Sequence, residues 1–409
     1  MSIKKSSAYA WIVVLLSAFL LFYKYVALVF PSLIATDIKL HFGIDSAQIG
    51  ALSAMFLYLI LLVQPFAGLL LDRFGCRNVT TISLMITALG MLLFAISSSL
   101  TIAFIGRAMM GIGVAFATVS YMKAVSTWFD EKNFAIASTL LLTAGMLGAI
   151  AGQAPLSMLF SSVGWQFGLY VCAIIGVIAA VVYWLVIRDD SQQNIDTNIN
   201  SKTGTLQVIK TITVNPNNWL LMIYSGLIFT TIDAFGGLWG NSFFAIKYDL
   251  TTTQSGFYIS AIFLGMGIGA PIMGKLSKHF NSIRIMLVCA LVGLLSLAAI
   301  LYLYLALPTL MFSCFIYGAM TSSFMLVFVV GRKLNPLAVM ATAAALINNG
   351  EPIFGGIFEM LVGKILDLLE PQVTGTHYSV NAYEIAFSIL PVSIFLAVIA
   401  LCFVKVPRR

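Results

Sequence analysis

Long hydrophobic runs follow one another along almost the whole chain, with short polar stretches between them. Each run has about 20 or more residues, which is enough to cross a hydrocarbon core of about 30 Å. Twelve such runs occupy residues 10–35, 46–71, 78–98, 101–124, 134–160, 165–187, 218–245, 253–276, 283–305, 308–330, 337–365 and 381–404. We therefore predict an all-α integral membrane protein with twelve transmembrane helices, called spans 1 to 12 in chain order.

Charge is scarce and unevenly placed. Only 9% of the residues are charged and 60% are hydrophobic, whereas soluble domains carry nearer a quarter charged residues. The net charge of +7 does not indicate a nucleic-acid partner, because the basic residues gather in the loops on one side of the spans. The opposite loops hold little beyond Lys39 and Lys247. The positive-inside rule then predicts that both termini are cytoplasmic, and we expect a bacterial-type inner membrane.

A polar stretch and an internal repeat divide the chain into two halves. The longest polar stretch, residues 189–217, separates six runs from six. The segment that begins at Ser46 aligns with the segment that begins at Thr252, at an offset of 206 residues. Six identities share that register: Gln48 with Gln254, Gly50 with Gly256, Pro65 with Pro271, Gly68 with Gly274, Leu70 with Leu276 and Phe74 with Phe280. We predict six-helix bundles at 1–188 and 218–409 joined by a cytoplasmic linker at 189–217, an organisation that suits alternating access in a secondary transporter.

A charged motif follows span 2. The sequence GLLLDRFGCR, with Gly68, Asp72, Arg73, Gly75 and Arg77 in place, resembles the loop 2–3 motif of the major facilitator superfamily, G-x-x-x-D-R-x-G-R-R. Cys76 departs from it, where a basic residue is usual. Together with the twelve spans and the repeat, the resemblance implies two pseudo-symmetric bundles that work as a monomer.

We expect the residues of this motif to act in gating. Asp72 is predicted to face the start of span 11 at Asn335 and Pro336. A carboxylate at a helix N-terminus is stabilised by about 0.3–1 kcal/mol, which would hold the cytoplasmic side closed. The alternative is a topology signal, in which Arg73 and Arg77 only keep the loop inside.

Four ionisable residues are predicted in the bilayer core, where each is a functional candidate by default. Lys24, Asp233 and Glu351 each lie about 20 Å from the cytoplasmic ends of their spans. Arg107 enters span 4 from the other side and lies about 10 Å deep, which is the same level. Arg107 also belongs to a segment that resembles the superfamily pattern R-x-x-x-G-x-G. In that superfamily spans 1, 4 and 7 line the cavity and span 11 lies beside them, so this layer resembles a substrate site.

We assign these four residues to binding and coupling. Arg107 and Lys24 are predicted to bind a substrate carboxylate, Arg by a bidentate fork and Lys as a point charge. Asp233 and Glu351 would bind a substrate ammonium group or take up a coupling proton. The alternative is a set of static salt bridges, such as Lys24 with Asp233, that only hold helices together.

Weaker candidates surround this layer. Pro352 should break span 11 and free the carbonyl of Asn348. Glu359 and Lys364, further along the same span, are expected to form a surface pair near the periplasmic interface. The other predicted substrate neighbours are Tyr23, Tyr121, Trp239, Asn348 and Asn349, and the aromatic members have packing or lipid contact as their alternative.

The resulting prediction is a secondary transporter. Two cations and two anions fit a small carboxylate-bearing metabolite, with an amino acid or other zwitterion favoured, carried by proton symport. Uptake of an organic polycarboxylate or a carboxylate siderophore is the alternative within this class, and a transporter-derived membrane receptor is a remote one. No nucleotide-binding or metal motif occurs, so we predict no enzyme, no cofactor and no metal, and as partners only the substrate, the coupling ion and the lipid bilayer.

Overall fold

The described residues form a helical membrane protein. The structure, a computed structural model, describes residues 7–129, 131–188, 212–336, 339–373 and 375–405. Within those ranges the regular structure is helical and includes no β-strand. Eleven of the helices there are long and apolar enough to cross a membrane. The predicted fold class is confirmed.

Spans 1 to 6 occupy the first half of the chain. Short interruptions divide several of them, as after Val29 in span 1 and at Gln153 in span 5. The helices are Ser7–Val29 with the 3-10 turn Phe30–Leu33 (span 1), Ser46–Phe74 (span 2), Cys76–Ala95 (span 3), Leu100–Val114 and Ala117–Trp128 (span 4), Glu131–Ala151 and Ala154–Val163 (span 5) and Trp165–Val186 (span 6). A further short helix, Ala35–Phe42, lies between spans 1 and 2.

Spans 7 to 12 occupy the second half. Span 7 is the most irregular, because a π-helical segment, Ile232–Trp239, lies between two α-helices. The helices are Pro216–Thr231 and Gly240–Tyr248 on either side of that segment (span 7), Thr252–Leu276 (span 8), Ser282–Tyr302 (span 9), Leu307–Thr321, the 3-10 turn Ser322–Met325 and Leu326–Leu334 (span 10), Met340–Asn348 and Gly350–Leu369 (span 11), and Val380–Phe387 and Ile389–Cys402 (span 12).

Span 11 differs from the others in its charge. Its second helix, Gly350–Leu369, carries Glu351, Glu359, Lys364 and Asp367, so it is not one of the eleven apolar helices. Span 11 is also interrupted at Asn349, three residues before Pro352. A break caused by this proline is what the sequence predicts, because proline removes a helical hydrogen bond and displaces the preceding turn.

The chain divides into two compact units. Unit 1 comprises Met1–Phe30 and Met55–Asn198, and unit 2 comprises Pro31–Ala54 and Ile199–Arg409. Residues Pro31–Ala54, called the crossover segment here, therefore pack with the second half of the chain although they precede most of the first half. The later boundary falls inside the predicted linker, whose residues 189–211 lie outside the described part of the chain.

Glycine pairs allow close helix packing inside each unit. In unit 1, a Cβ at Gly90 would lie 2.7 Å from the carbonyl oxygen of Gly106, so spans 3 and 4 touch backbone to backbone. In unit 2, a Cβ at Gly226 would lie 2.5 Å from the carbonyl oxygen of Gly350, which brings spans 7 and 11 equally close. Small residues at such crossings are typical of helix association in membranes.

Candidate substrate site

Arg107 is the most deeply buried cation among those of unit 1 whose burial the structure describes. It lies on Leu100–Val114, a helix capped by Ser99, whose hydroxyl accepts a hydrogen bond from the backbone N–H of Ile102. The residue is 0% exposed, and its Nη1 donates to the carbonyl oxygen of Ala27 at 2.6 Å. Its guanidinium carbon also lies 5.3 Å and 4.7 Å from the ring centres of Phe30 and Phe56. Aromatic faces stabilise a cation, so the protein holds this charge in an apolar bundle.

Lys24 and Tyr23 are neighbours in sequence but lie in different surroundings. Lys24 is half-buried, and its Nζ lies 5.4 Å from the centre of the Tyr25 ring. Tyr23 is 2% exposed, and its hydroxyl donates to the carbonyl oxygen of Cys172 at 3.0 Å. A Cβ at Gly176 would overlap that hydroxyl. This close fit against span 6 favours a packing role for Tyr23, whereas Lys24 keeps partial access.

The predicted gating loop joins spans 2 and 3 in unit 1 and lies beside the end of span 4. Asp72 accepts a hydrogen bond from Nζ of Lys123 at 2.7 Å, and the same Nζ donates to the carbonyl oxygen of Leu71 at 2.8 Å. These residues line an open groove of about 520 Å³ between spans 2 and 4. Gly68 faces this groove, and a Cβ there would meet nothing within 4 Å. Lys123 is a partner of Asp72 that the sequence analysis did not identify.

One basic residue of the motif, Arg77, holds the loop against span 6. Arg77 donates from Nε to the carbonyl oxygen of Trp184 at 2.7 Å, and its guanidinium carbon lies 4.5 Å from the Trp184 ring centre. Arg73 is exposed, beside the Phe74 ring. Gly75 has φ +81° and ψ 157°, a backbone conformation that essentially only glycine adopts. The glycine therefore makes the turn between spans 2 and 3 possible.

Asp233 lies in the π-helical segment of unit 2. The residue is 1% exposed, and every residue of Ile232–Trp239 is buried. Before it on span 7, Thr231 accepts a hydrogen bond from the hydroxyl of Tyr317 on span 10. π-Helical turns are rare and are often found at functional sites, because they displace side chains from regular helical positions. Asp233 is thus a buried acid on an irregular part of the helix.

Span 7 and span 11 run side by side, so the contacts between them allow the depths of Asp233 and Glu351 to be compared. Gly226 meets Gly350 near one end, and further along Nε1 of Trp239 donates to the carbonyl oxygen of Glu359 at 3.0 Å. Counted from the Gly226–Gly350 contact Asp233 falls six residues beyond Glu351, and counted from the Trp239–Glu359 contact it falls two residues beyond, which corresponds to between about 3 Å and about 9 Å along the axis. The two acids therefore differ in level by about one helical turn.

The remaining predicted residues vary in access. Trp239 and Tyr121 are 0% exposed, the first in unit 2 and the second in unit 1. Glu351, Asn348 and Asn349 are half-buried around the break in span 11. The break therefore leaves a partly accessible polar stretch in span 11.

The prediction for Glu359 and Lys364 as a surface pair is wrong. Glu359 is 1% exposed, whereas Lys364 is exposed. A helix advances about 100° per residue, so two residues five positions apart point about 140° away from each other. The sequence spacing contained this signal, and Glu359 becomes a buried acid on the inner face of span 11.

The crossover segment is attached to the end of span 11 by polar contacts. Nζ of Lys39 donates to the hydroxyls of Tyr378, at 2.5 Å, and Ser46, at 3.2 Å, and lies 3.6 Å from Oδ1 of Asp367. The other carboxylate oxygen of Asp367 accepts a hydrogen bond from the backbone N–H of Ala47 at 2.8 Å. We call Lys39, Ser46, Asp367 and Tyr378 the clasp. Burial lowers the pKa of Lys39, and the charge of Asp367 opposes that shift.

A small polar cavity of about 110 Å³ lies beside the clasp. Nδ2 of Asn241 donates to the hydroxyl of Ser32 at 2.9 Å on its border. The hydroxyls of Thr36 and Thr376 are 2.6 Å apart, and Thr376 donates to Ser242 at 3.1 Å. The crossover segment is therefore joined to spans 7 and 11 and to the loop before span 12 by hydroxyl and amide contacts.

Each unit thus combines long apolar helices with a few ionisable side chains held deep inside them. This combination defines a multi-span helical membrane protein. The family model described as the Major Facilitator Superfamily matches residues 11–359, which is most of the chain. The chain belongs to the major facilitator superfamily and is a membrane transporter of the secondary type, as the loop motif and the repeat predict.

Relatives with known names include several transporters. An uncharacterized transporter, YybO of Bacillus subtilis, is 22% identical over 396 residues, or 90% of this chain and 89% of that protein. The human lysosomal dipeptide transporter MFSD1 is 24% identical over 306 residues, 70% of this chain and 65% of that protein. The nitrate/nitrite transporter NrtP of Nostoc punctiforme is 30% identical over 204 residues, 48% of this chain and 40% of that protein.

Solved structures share the fold. A bacterial homologue of the human lysosomal transporter Spinster, in an inward-facing and occupied conformation, has a TM-score of 0.79 at 13% identity and covers 98% of this chain and 97% of its own. The nucleoside transporter NupG has a TM-score of 0.75 at 15% identity, covering 96% of this chain and 100% of its own. At these identities the likeness concerns the fold alone.

Proposed function

We propose that this transporter carries a small carboxylate-bearing metabolite, with an amino acid or other zwitterion favoured, by proton-coupled symport. Arg107 and Lys24 act on the substrate carboxylate. Asp233 and Glu351 act on its ammonium group or carry the coupling proton. The proposal includes a monomer in a bacterial-type inner membrane with both termini in the cytoplasm.

The observation that carries this proposal is the burial of Arg107. A guanidinium keeps its charge at every physiological pH, and a charged group inside a membrane bundle is costly. Here the group is 0% exposed and lies against the rings of Phe30 and Phe56. Nη1 of Arg107 also donates to the carbonyl oxygen of Ala27 at 2.6 Å. A guanidinium has five N–H donors, and a carboxylate binds such a planar fork through two parallel hydrogen bonds.

The acids of unit 2 support the coupling role. Asp233 is 1% exposed and lies on a π-helical turn, and Glu351 is half-buried beside the break in span 11. A carboxyl group in such surroundings can change its protonation when water reaches it. Both lie on elements that are irregular, and irregular helices in transporters commonly line the solute path.

Two of the relatives favour a substrate with an anionic group. MFSD1 is named a dipeptide transporter, and a dipeptide carries both an amino and a carboxylate group. NrtP is named a nitrate/nitrite transporter, and both of those ions are small planar anions. An arginine fork fits either chemistry, so nitrate is the second candidate that the substrate screen must include.

A binding screen followed by counterflow tests the proposal. Purified protein is screened by thermal shift against amino acids, dipeptides, di- and tricarboxylates and nitrate. The compounds that bind are tested for counterflow in proteoliposomes. We expect a zwitterion to bind and exchange, and Arg107→Ala to weaken its binding at least about tenfold, the effect of one lost charged hydrogen bond. Arg188→Ala, which removes an exposed arginine, is the matched control and should bind as the wild type does.

Two results would contradict the assignments. Unchanged affinity and transport in Arg107→Ala would remove the carboxylate role of that residue. Full pH-driven accumulation in both Asp233→Asn and Glu351→Gln would remove proton coupling through either acid. Binding without exchange by any compound would favour the receptor alternative.

A further inference from the structure

We propose that the small polar cavity beside the clasp binds one alkali-metal cation, with sodium as its probe. The cation joins the crossover segment to span 7 and to the loop before span 12. This inference goes beyond the proposed function, because it requires neither the substrate nor the coupling proton. The residues that line the cavity belong to unit 2, and on the predicted topology they lie on the extracytoplasmic side.

The chemistry of the lining is the first reason. Oxygen atoms of hydroxyl, amide and carboxylate groups are the ligands that hard cations prefer. The crossover segment, span 7 and the loop before span 12 each supply such groups, and some are almost fully buried: Ser32 and Asn241 are 2% exposed and Thr376 is 3% exposed. The oxygen-bearing side chains of the proposed site are Ser32, Thr36, Asp37, Asn241, Ser242 and Thr376.

The hydrogen bonds around the cavity leave oxygen acceptors in excess. Thr376 donates its one hydroxyl proton to Ser242 at 3.1 Å, so Thr36, whose hydroxyl oxygen lies 2.6 Å from that of Thr376, is the donor in their contact. A hydroxyl has one donor proton and two lone pairs, so the Thr36 oxygen keeps its capacity to accept. Nδ2 of Asn241 donates to the hydroxyl of Ser32 at 2.9 Å, which directs the carbonyl oxygen of that amide away from Ser32. An excess of lone pairs over protons favours a cation.

The charge of the cavity suits a monovalent ion. Asp37 is the one acid among its described lining residues, and the ion pairs of the described part of the chain do not include it. Lys39, two residues further on, is paired with Asp367 in the clasp. His377 also lines the cavity and is exposed, and a histidine is ordinarily neutral at about pH 8. One carboxylate balances one monovalent cation, whereas calcium sites usually combine several carboxylates.

The Asp37 carboxylate gains from a cation even though the residue is exposed. The surrounding chain withdraws enough water from its carboxyl group to raise the pKa, and a nearby cation opposes such a shift. The cavity of about 110 Å³ also has room, since one water molecule needs about 10–15 Å³ of such space. It therefore accommodates a cation together with several waters that complete its coordination.

A helix-terminus role for Asp37 is the alternative that the experiment must separate. The residue lies in the first turn of Ala35–Phe42, where a carboxylate is favourable without any cation. Removing its charge would then lower stability and leave sodium binding unchanged. A cation site makes stability depend on sodium, because an ion that binds the packed arrangement stabilises it by mass action.

Binding of radioactive sodium to the purified protein measures the site without any substrate. The protein is held in detergent at about pH 8, and choline chloride replaces sodium chloride so that the ionic strength stays constant. We expect saturable binding of one sodium ion per chain, which unlabelled sodium displaces. Calcium should displace it only at higher concentration. Displacement by calcium at lower concentration than by unlabelled sodium would overturn the monovalent assignment.

Two substitutions of similar shape test the ligands. Asp37→Asn should weaken sodium binding at least about tenfold, because it removes the charged ligand. Thr36→Val removes a hydroxyl, keeps the branched shape and should weaken binding about threefold to tenfold. Asp249→Asn is the matched control, since it removes an exposed carboxylate after span 7 at a residue with φ +53°, a conformation that asparagine tolerates. Sodium should raise the unfolding temperature of the wild type and of Asp249→Asn, and not that of Asp37→Asn.

The outcomes that overturn the proposal are distinct from those that overturn the proposed function. Unchanged sodium binding in Asp37→Asn would overturn it, as would a wild-type protein without saturable binding; should Asp37→Asn not fold, Thr36→Val decides in the same way. Asp233→Asn should bind sodium as the wild type does, and a loss of binding there instead would assign the ion to span 7. If the wild type bound sodium and exchanged no carboxylate-bearing compound, the proposed substrate would be wrong while the cation site would stand.

Discussion

At the scale of single residues, Lys39 shows how a partly buried charge is kept in place. Its side chain is 11% exposed, and it contacts two hydroxyls and a carboxylate, all within the clasp. Asp367 serves two partners, because its second oxygen accepts the N–H of Ala47 at the start of span 2. A carboxylate at a helix N-terminus is favourable in itself. The clasp thus combines an ion pair with a helix cap.

Removing the cation of the clasp should weaken the fold measurably. We expect Lys39→Met to lower the free energy of unfolding by about 1–3 kcal/mol, since it deletes hydrogen bonds from a charged donor. Asp367→Asn should cost a similar amount, and the double variant should show a coupling energy of about 0.5–3 kcal/mol. Denaturant unfolding in detergent measures all three. Lys275→Met removes an exposed lysine and is the control; an equal loss there would contradict a specific role for Lys39.

Residue burial was only partly predictable from the sequence. The location of Arg107 and Asp233 inside spans followed from hydrophobic runs on both sides of them, and the structure buries both. The prediction of a surface pair at Glu359 was wrong because it relied on the short distance to Lys364 along the chain, although helical geometry points the two side chains apart. The environment of Tyr23 depends on Gly176 in span 6, and no local pattern shows that contact.

At the scale of helices, span 2 carries two glycines in opposite situations. A Cβ at Gly50 would overlap the backbone of Glu359, whereas a Cβ at Gly68 would meet nothing within 4 Å. The first glycine serves close packing on span 11, and the second leaves the groove beside Asp72 open. Glycine therefore allows close contact with span 11 at one end of span 2 and keeps a groove open at the other end.

Alanine substitutions at these two glycines should separate the roles. Gly50→Ala should lower the free energy of unfolding by about 1–3 kcal/mol, the usual cost of overpacking against a rigid backbone. Gly68→Ala should leave it unchanged or raise it slightly, since alanine is the better helix former. Thermal unfolding of the two variants in the same detergent is the measurement. An equal loss in both would contradict a specific role for the contact with Glu359, because a Cβ at Gly68 meets nothing within 4 Å.

Irregular segments within the helices were harder to predict from the sequence than the helices themselves. The interruption of span 11 followed from Pro352, because proline has a fixed effect on the helix before it. The π-helical segment of span 7 has no comparable residue signal; Gly236 and Gly237 permit it, but glycines occur in many regular spans here. A depth that is counted at a constant rise per residue is therefore less reliable for Asp233 than for Glu351.

At the scale of the whole molecule, hydrophobic runs and the repeat predicted the fold class, because lipid demands long apolar helices. The assignment of residues 31–54 to a compact unit could not be predicted in that way. Those residues belong to the first half of the sequence, yet they pack with the second half. The contacts that attach them, such as Lys39 with Asp367, join positions more than 300 residues apart, and a single sequence does not reveal such pairings.

The repeat makes one prediction that involves both halves. Gly68 and Gly274 occupy equivalent positions on spans 2 and 8, after the equivalent prolines Pro65 and Pro271. A Cβ at either glycine would meet nothing within 4 Å. Alternating access requires that surfaces open in one state are covered in the other. We therefore expect both glycines to be covered when the predicted cytoplasmic side closes.

Valine at these positions should impair transport without unfolding the protein. Gly68→Val and Gly274→Val should each keep the wild-type unfolding temperature and lower the rate of counterflow at least about tenfold. The reason is that the branched side chain obstructs the covered state, and an added barrier of about 1.4 kcal/mol is enough for a tenfold change in rate. Ala67→Val and Met273→Val would disturb buried neighbours, so the exposed Leu69→Val and Ile272→Val are the matched controls on the same helices. Unimpaired counterflow in both glycine variants would mean that these surfaces stay uncovered throughout the cycle, and an effect at only one would limit closure to that half of the repeat.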